Sequence, residues 1–191
     1  MIDRLDGGFR CWFYPDLTPR LLTEFGLRYA RPISVGVVTA ETGSPRPLFV
    51  LDEILKSGSA DAEADVSRSE GMLEVRVIGK NRDKVQEVLE RMSRELSRQA
   101  GDGPRILTAL EPSTMLTRAL DVAANEAVTV FDGLNRHRSI ALLDRAFKAD
   151  PDLDIRYRIE PSYLLIHGTR DQLEAATRLM KRDAEPYLMK E

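Results

Sequence analysis

Apolar residues recur along this chain with two different periods, and the switching between them marks out a succession of strands and helices. Phe9-Arg10-Cys11-Trp12-Phe13-Tyr14 is rich in strand formers and is expected to stop at Pro15, which has no N–H to give a sheet. Thr18 followed by Pro19 predicts a helix to about Tyr29, with threonine as cap and proline's fixed φ suiting the first helical position. Ile33 to Ala40 (ISVGVVTA) reads as a second strand, and the glycine and prolines of residues 41–47 as a turn. Leu48 to Leu55 is apolar and compatible with either a strand or a short helix, whereas residues 56–71 are small and polar and are expected to be a mobile loop. Met72 to Gly79 alternates, with Leu73, Val75 and Val77 on one face. Asn81 is placed to cap a helix whose apolar residues Val85, Val88, Leu89, Met92 and Leu96 form one stripe. Gly101 and Pro104 are expected to end it, before a short strand at Arg105 to Leu110.

Residues 9–110 therefore read β-α-β, insertion, β-α-β, the order of the ferredoxin-like (split βαβ) plait. Downstream the pattern predicts a helix from about Ser113 to Glu126, a strand at Val128 to Phe131 and a helix from His137 to Ala149. Strands at Leu153 to Ile159 and Tyr163 to His167 follow, and a last helix opens in the capping box Thr169 to Gln172. The expected organisation is an α+β chain with one unit at 1–110, carrying a flexible insertion at about 41–71, and a second α+β unit at 111–191. The second half is a candidate repeat of the first. Gly79-Lys80-Asn81-Arg82-Asp83-Lys84-Val85 and Gly168-Thr169-Arg170-Asp171-Gln172-Leu173 both leave a strand and open a helix, and Val85, Val88 and Met92 then correspond to Leu173, Ala176 and Met180. Shared strand–turn–helix chemistry would produce the same echo without duplication.

Composition narrows the function classes. With 42% hydrophobic and 31% charged residues, the 191-residue chain is that of an ordinary globular protein. No apolar run reaches the ~18–20 residues that span a bilayer, and residues 1–8 lack a basic segment followed by an apolar one, so a cytoplasmic location is expected. The net charge of −3 offers no global excess of cations for phosphates, which makes nucleic acid an improbable partner unless a local patch exists. Cys11 is the one cysteine, and His137 and His167 are the two histidines, so neither a disulfide nor a zinc ligand set is expected. No metal and no cofactor is expected.

Two turns carry candidate chemistry. Asp132, Asn135, Arg136, His137 and Arg138 lie between a predicted strand and a predicted helix, where helix N–H groups, two arginines and a histidine would suit a small anion. The plainer reading is a surface turn with Asp132 or Asn135 as the helix cap. The run Asp132-Gly133-Leu134-Asn135-Arg136 resembles the Asp-Gly-x-x-Arg segment of ParB-like and sulfiredoxin-like nucleotide-binding folds, over roughly residues 127–159. The second turn, Lys80, Asn81 and Arg82, is a candidate anion or nucleic-acid contact. Ile78-Gly79-Lys80-Asn81-Arg82 resembles the opening of a KH-domain loop, but Arg82 stands where that loop has its second glycine. Asp65-Val66-Ser67-Arg68-Ser69-Glu70-Gly71 resembles the Asp-x-Ser-x-x-Gly stretch of PilZ domains, with one residue too many before the glycine.

Chemistry beyond these turns is sparse. No Gly-x-Ser-x-Gly elbow, P-loop, Gly-x-Gly-x-x-Gly turn or His-Glu-x-x-His helix occurs. Asp150, Asp152 and Asp154 alternate without the glycine of a calcium loop. Phe9, Trp12, Phe13 and Tyr14 would stack on bases or a partner if exposed, and core packing is the plainer account. The expected function is thus non-enzymatic: a binding, regulatory, accessory or assembly subunit that recognises a protein partner, a further copy of itself or a small anionic ligand. The rivals are an enzyme acting on a phosphorylated or carboxylated molecule at the 132–138 turn, and a single-strand RNA binder using Arg76, Lys80 and Arg82.

Overall fold

The computed structural model describes residues 2–5, 8–58, 62–69, 71–99 and 105–188. The chain divides into two compact units, one of residues 1–43 and 50–101, the other of residues 44–49 and 102–191. In chain order the first elements are β1 (Ile2–Leu5), β2 (Phe9–Leu17), α1 (Pro19–Leu22), β3 (Ile33–Ala40), α2 (Arg46–Lys56), β4 (Glu63–Ser69), β5 (Met72–Gly79) and α3 (Arg82–Arg98). They are followed by β6 (Arg105–Ala109), α4 (Thr114–Leu120), β7 (Ala127–Asp132), α5 (Arg136–Ala149), β8 (Arg156–Ile159), β9 (Tyr163–Gly168) and α6 (Arg170–Leu188).

The first unit holds a sheet of order β1-β2-β3-β5-β4 and the second a sheet of order β6-β7-β9-β8, every neighbouring pair antiparallel. Setting β1 aside, the two orders are the same, and so is the succession of elements. Each unit runs strand, short helix, strand, helix, strand, strand, helix. The short helices even end alike. Gly26 takes φ +69 after α1 and its 3₁₀ turn Thr23–Phe25, and the Leu27 N–H bonds back to the Leu22 carbonyl at 3.0 Å. Asp121 takes φ +51 after α4, and the Val122 N–H bonds to the Thr117 carbonyl at 2.9 Å. Both are left-handed helix stops of the Schellman type.

Register explains the burial pattern of β3, which is buried at all eight positions. Val38 faces Cys11 and Val75 on one side of the sheet, where Gly36 meets Leu89 of α3. Ile33, Val35 and Val37 point to the other side and form a cluster with Leu22 and Ile78, against which Trp12, Tyr14, Phe25 and Tyr29 pack. The aromatic run of β2 is therefore divided between two faces by strand alternation, and not packed on one face: Phe9 is buried, whereas Trp12 and Tyr14 are partly buried at the margin of this cluster. In the second unit Phe131, Leu164 and Ile166 lie under α5 and α6, with Leu142, Leu143, Ala146, Leu173, Ala176 and Met180.

Four expectations need correction, and one open choice is resolved. Pro15 does not end β2: the strand continues to Leu17 through an irregularity between Tyr14 and Leu17, where no ladder N–H is required of the proline. The helix expected to reach Tyr29 stops at Phe25 because Gly26 adopts the left-handed conformation. Leu48–Leu55 belongs to a helix, α2. The expected loop contains an edge strand, β4, paired along its length with β5. The strand at Arg105–Ala109, expected to complete the first plait, pairs instead with β7 in the second sheet. Gly101 and Pro104 lie outside the described residues.

Candidate functional site

The turn after β7 is built around an internal ion pair. Asp132 is the last residue of β7 and is only 2% exposed. Its Oδ2 accepts from the Ser44 hydroxyl at 2.9 Å and from Arg46 Nε at 2.5 Å, with Arg46 itself buried. Arg105 faces Asp132 across the β6–β7 ladder. Desolvation, and then the cationic Arg46, hold its guanidinium below the ordinary arginine value, opposed by Asp132. The Asp132 carboxylate is thus engaged from within and is not on the surface of the turn.

Its sequence neighbours separate from it. Gly133 takes φ +83 and Leu134 is buried, so the chain turns before α5 begins. Asn135 is the helix cap, its side-chain oxygen accepting from the Arg138 N–H at 3.0 Å. Arg136 and His137 are exposed on the first turn of α5, and Arg138 is half-buried. The plainer reading holds for Asn135, which the sequence offered as a cap.

The second turn is arranged differently. Asn81 accepts from the N–H groups of Asp83 and Lys84 at 3.1 and 3.2 Å, so these two donors at the start of α3 are already satisfied. Lys80 and Asn81 line one cavity with Tyr29 and Glu63, whereas Arg82 points to another. In the former, the Tyr29 hydroxyl donates to Glu63 at 2.7 Å. That bond, then burial and the charges of Glu63 and Asp65, hold the phenol above its ordinary value.

The cavity reached by Arg82 lies between β2 and α3 and has a volume of about 430 Å³. Cys11, Trp12 and Phe13 line it from the sheet, and Gln86, Leu89, Glu90, Ser93 and Arg94 from the helix. From sequence, Arg82 is read as an anion contact, Leu89 as part of the apolar stripe, and Cys11, Trp12 and Phe13 as strand residues. Gln86, Glu90, Ser93 and Arg94 carry no mark in the sequence, because they lie on α3 beside its apolar stripe. Also unmarked in sequence was a buried glutamate: Glu126 meets His167 Nδ1 at 2.6 Å and Arg156 at 2.6 Å, each on a different strand. Among the described residues no group of three or more His, Cys, Asp or Glu is placed to hold a metal ion, and no helix is long and apolar enough to cross a membrane.

Sheet edges and exposed apolar side chains make up the remaining surface of interest. β8 is an edge strand, and its Tyr157 is 52% exposed against Phe147 of α5, with ring centroids 6.0 Å apart. Ile140, 44% exposed, lies on the same helix. Unpaired edges and exposed apolar groups are what association between chains uses.

No protein-family model matches the chain, and no curated protein sequence matches it. Solved structures do share its architecture. EtuB from Clostridium kluyveri superposes with a TM-score of 0.70 at 14% identity, covering 97% of this chain and 92% of that one. PduB, a trimeric bacterial microcompartment shell protein, gives 0.67 at 15% identity, covering 92% and 86%. Ethanolamine utilization protein EutL from Leptotrichia buccalis gives 0.63 at 18% identity, covering 100% and 99%. At these identities the likeness establishes a common fold, α+β in both units.

Proposed function

We propose that this chain is a structural, non-enzymatic subunit that assembles with copies of itself, as a component of a microcompartment shell, with three chains to the oligomer. One observation carries the reading: the likeness to PduB spans 92% of this chain and includes both units. A common fold alone does not determine function. What adds to it here is the open edge strand β8 with exposed Tyr157 nearby, and a site inventory in which the buried charges are engaged internally. Of the binding roles expected from sequence, assembly is favoured over regulation.

The two units are best understood as duplicated plaits. In each, the connectivity is that of β-α-β-β-α-β with the last strand moved to the front. The echo at Gly79 and Gly168 falls at the corresponding strand–helix junctions, β5 to α3 and β9 to α6, and its paired residues Val85, Val88, Met92 and Leu173, Ala176, Met180 are all buried. Three chains would then carry six units of one topology.

Light scattering coupled to size exclusion tests the assembly. The expected mass is three times that of the 21.5 kDa chain, persisting on dilution to micromolar concentration. A monomer at every concentration would overturn the proposal.

A further inference from the structure

The geometry points to the groove between β2 and α3 as a binding site for an amphipathic anion: an aliphatic or aromatic body bearing a carboxylate, sulfonate or phosphate group. Its volume of about 430 Å³ lies in the range of roughly 300–1,000 Å³ that small-molecule sites occupy. The floor is apolar, with Cys11 and Phe13 on one face of the sheet and Leu89 opposite them. Along α3 the lining residues Arg82, Gln86, Leu89, Glu90 and Ser93 follow i, i+4, i+7, i+8 and i+11, so they form one continuous strip facing β2.

Charge selects the ligand's polar end. Arg82 and Arg94 border the groove, and among the described lining residues Glu90 is the one carboxylate, so these residues carry an excess positive charge. Arg76 and Arg98 of the same unit are held by neighbouring acids, but neither Arg82 nor Arg94 has an ion pair or hydrogen bond to a described residue. A guanidinium offers a planar fork of donors that matches an oxyanion. Gln86 and Ser93 supply further polar contacts beside an apolar floor. An anionic head with an apolar body satisfies both parts of this lining. A neutral apolar molecule leaves the arginines unused, and a hydrophilic anion leaves the floor unfilled.

The inference stands whether or not the chain assembles. It is tested by titrating the full chain, in its native oligomeric state, with 8-anilinonaphthalene-1-sulfonate and with its uncharged counterpart N-phenyl-1-naphthylamine, both read by fluorescence. Saturable binding at one site per chain is expected, with the sulfonate preferred by about tenfold or more, the worth of a charged hydrogen bond. The double variant Arg82→Ala, Arg94→Ala should lose that preference, and Ser93→Trp, which fills the groove, should abolish binding of both dyes, each variant keeping the wild-type circular dichroism. Absence of saturable binding, or an unchanged preference in the double variant, would overturn the assignment. So would a Ser93→Trp protein that binds the dye normally but changes oligomeric mass, since the groove would then be a contact between copies.

Discussion

Gly43 combines two constraints that no other residue type meets. It takes φ +69 in the turn between β3 and α2, and a Cβ added there would lie 2.6 Å from the Gly71 carbonyl oxygen, a backbone atom with little room to yield. Gly26 shares the conformation, with φ +69, but has open space around its Cβ position. Gly26→Ala is therefore expected to cost ~1 kcal/mol from the left-handed backbone alone. Gly43→Ala is expected to cost more than ~2 kcal/mol, seen as a lower urea midpoint. Tyr29 gives a pH signature. Its phenol is raised mainly because it donates to Glu63, so the protonated form is favoured in the folded chain. A raised pKa contributes stability that is fully present below the unfolded value and is lost as pH rises through the folded one. Thermal stability should consequently fall more steeply above pH ~10 in the wild type than in Tyr29→Phe. Local roles of this kind were partly legible: Asn81 and Asn135 declare themselves as caps because a cap acts over three residues. Gly43 was legible as a turn residue only, because the atom that excludes its side chain is 28 positions away.

Elements followed local periodicity where it was strong. The β5–α3 unit is as its spacing predicts, with Val85, Val88, Leu89, Met92 and Leu96 all buried. β4 was missed because an edge strand pairs on one side only, and Glu63–Ser69 needs few apolar residues to do so. β6 was recognised as a strand but assigned to the wrong sheet, since alternation says that a segment pairs and not with which partner. The clearest long-range tie in the second unit is Asp132, which joins the end of β7 to Ser44 and to Arg46 at the start of α2. Removing one partner of a buried ion pair leaves the other uncompensated. Asp132→Ala is expected to destabilise the protein by about 3 kcal/mol or more in urea unfolding. A surface aspartate of a ligand loop, as the sequence suggested, would instead unfold at the wild-type midpoint when replaced.

For the whole molecule, the succession of two periods was enough to establish an α+β chain and to raise a second half resembling the first. The residues at the two helix openings follow strands in both units and bury the same stripe, so the echo was physical as well as textual. Those features depend on neighbours within a few turns or pleats, where side-chain direction is dictated by the backbone itself. Strand order, the shared left-handed helix stops, the engagement of Asp132 and the groove beside Arg82 depend on segments far apart in sequence. Closing a longer loop adds little entropic cost, so several pairings of the same strands are comparable on local grounds. The choice among them rests on which faces bury each other and which charges find partners, and that is settled only when the folded chain brings β7 to Ser44 and Arg46, and α3 to β2.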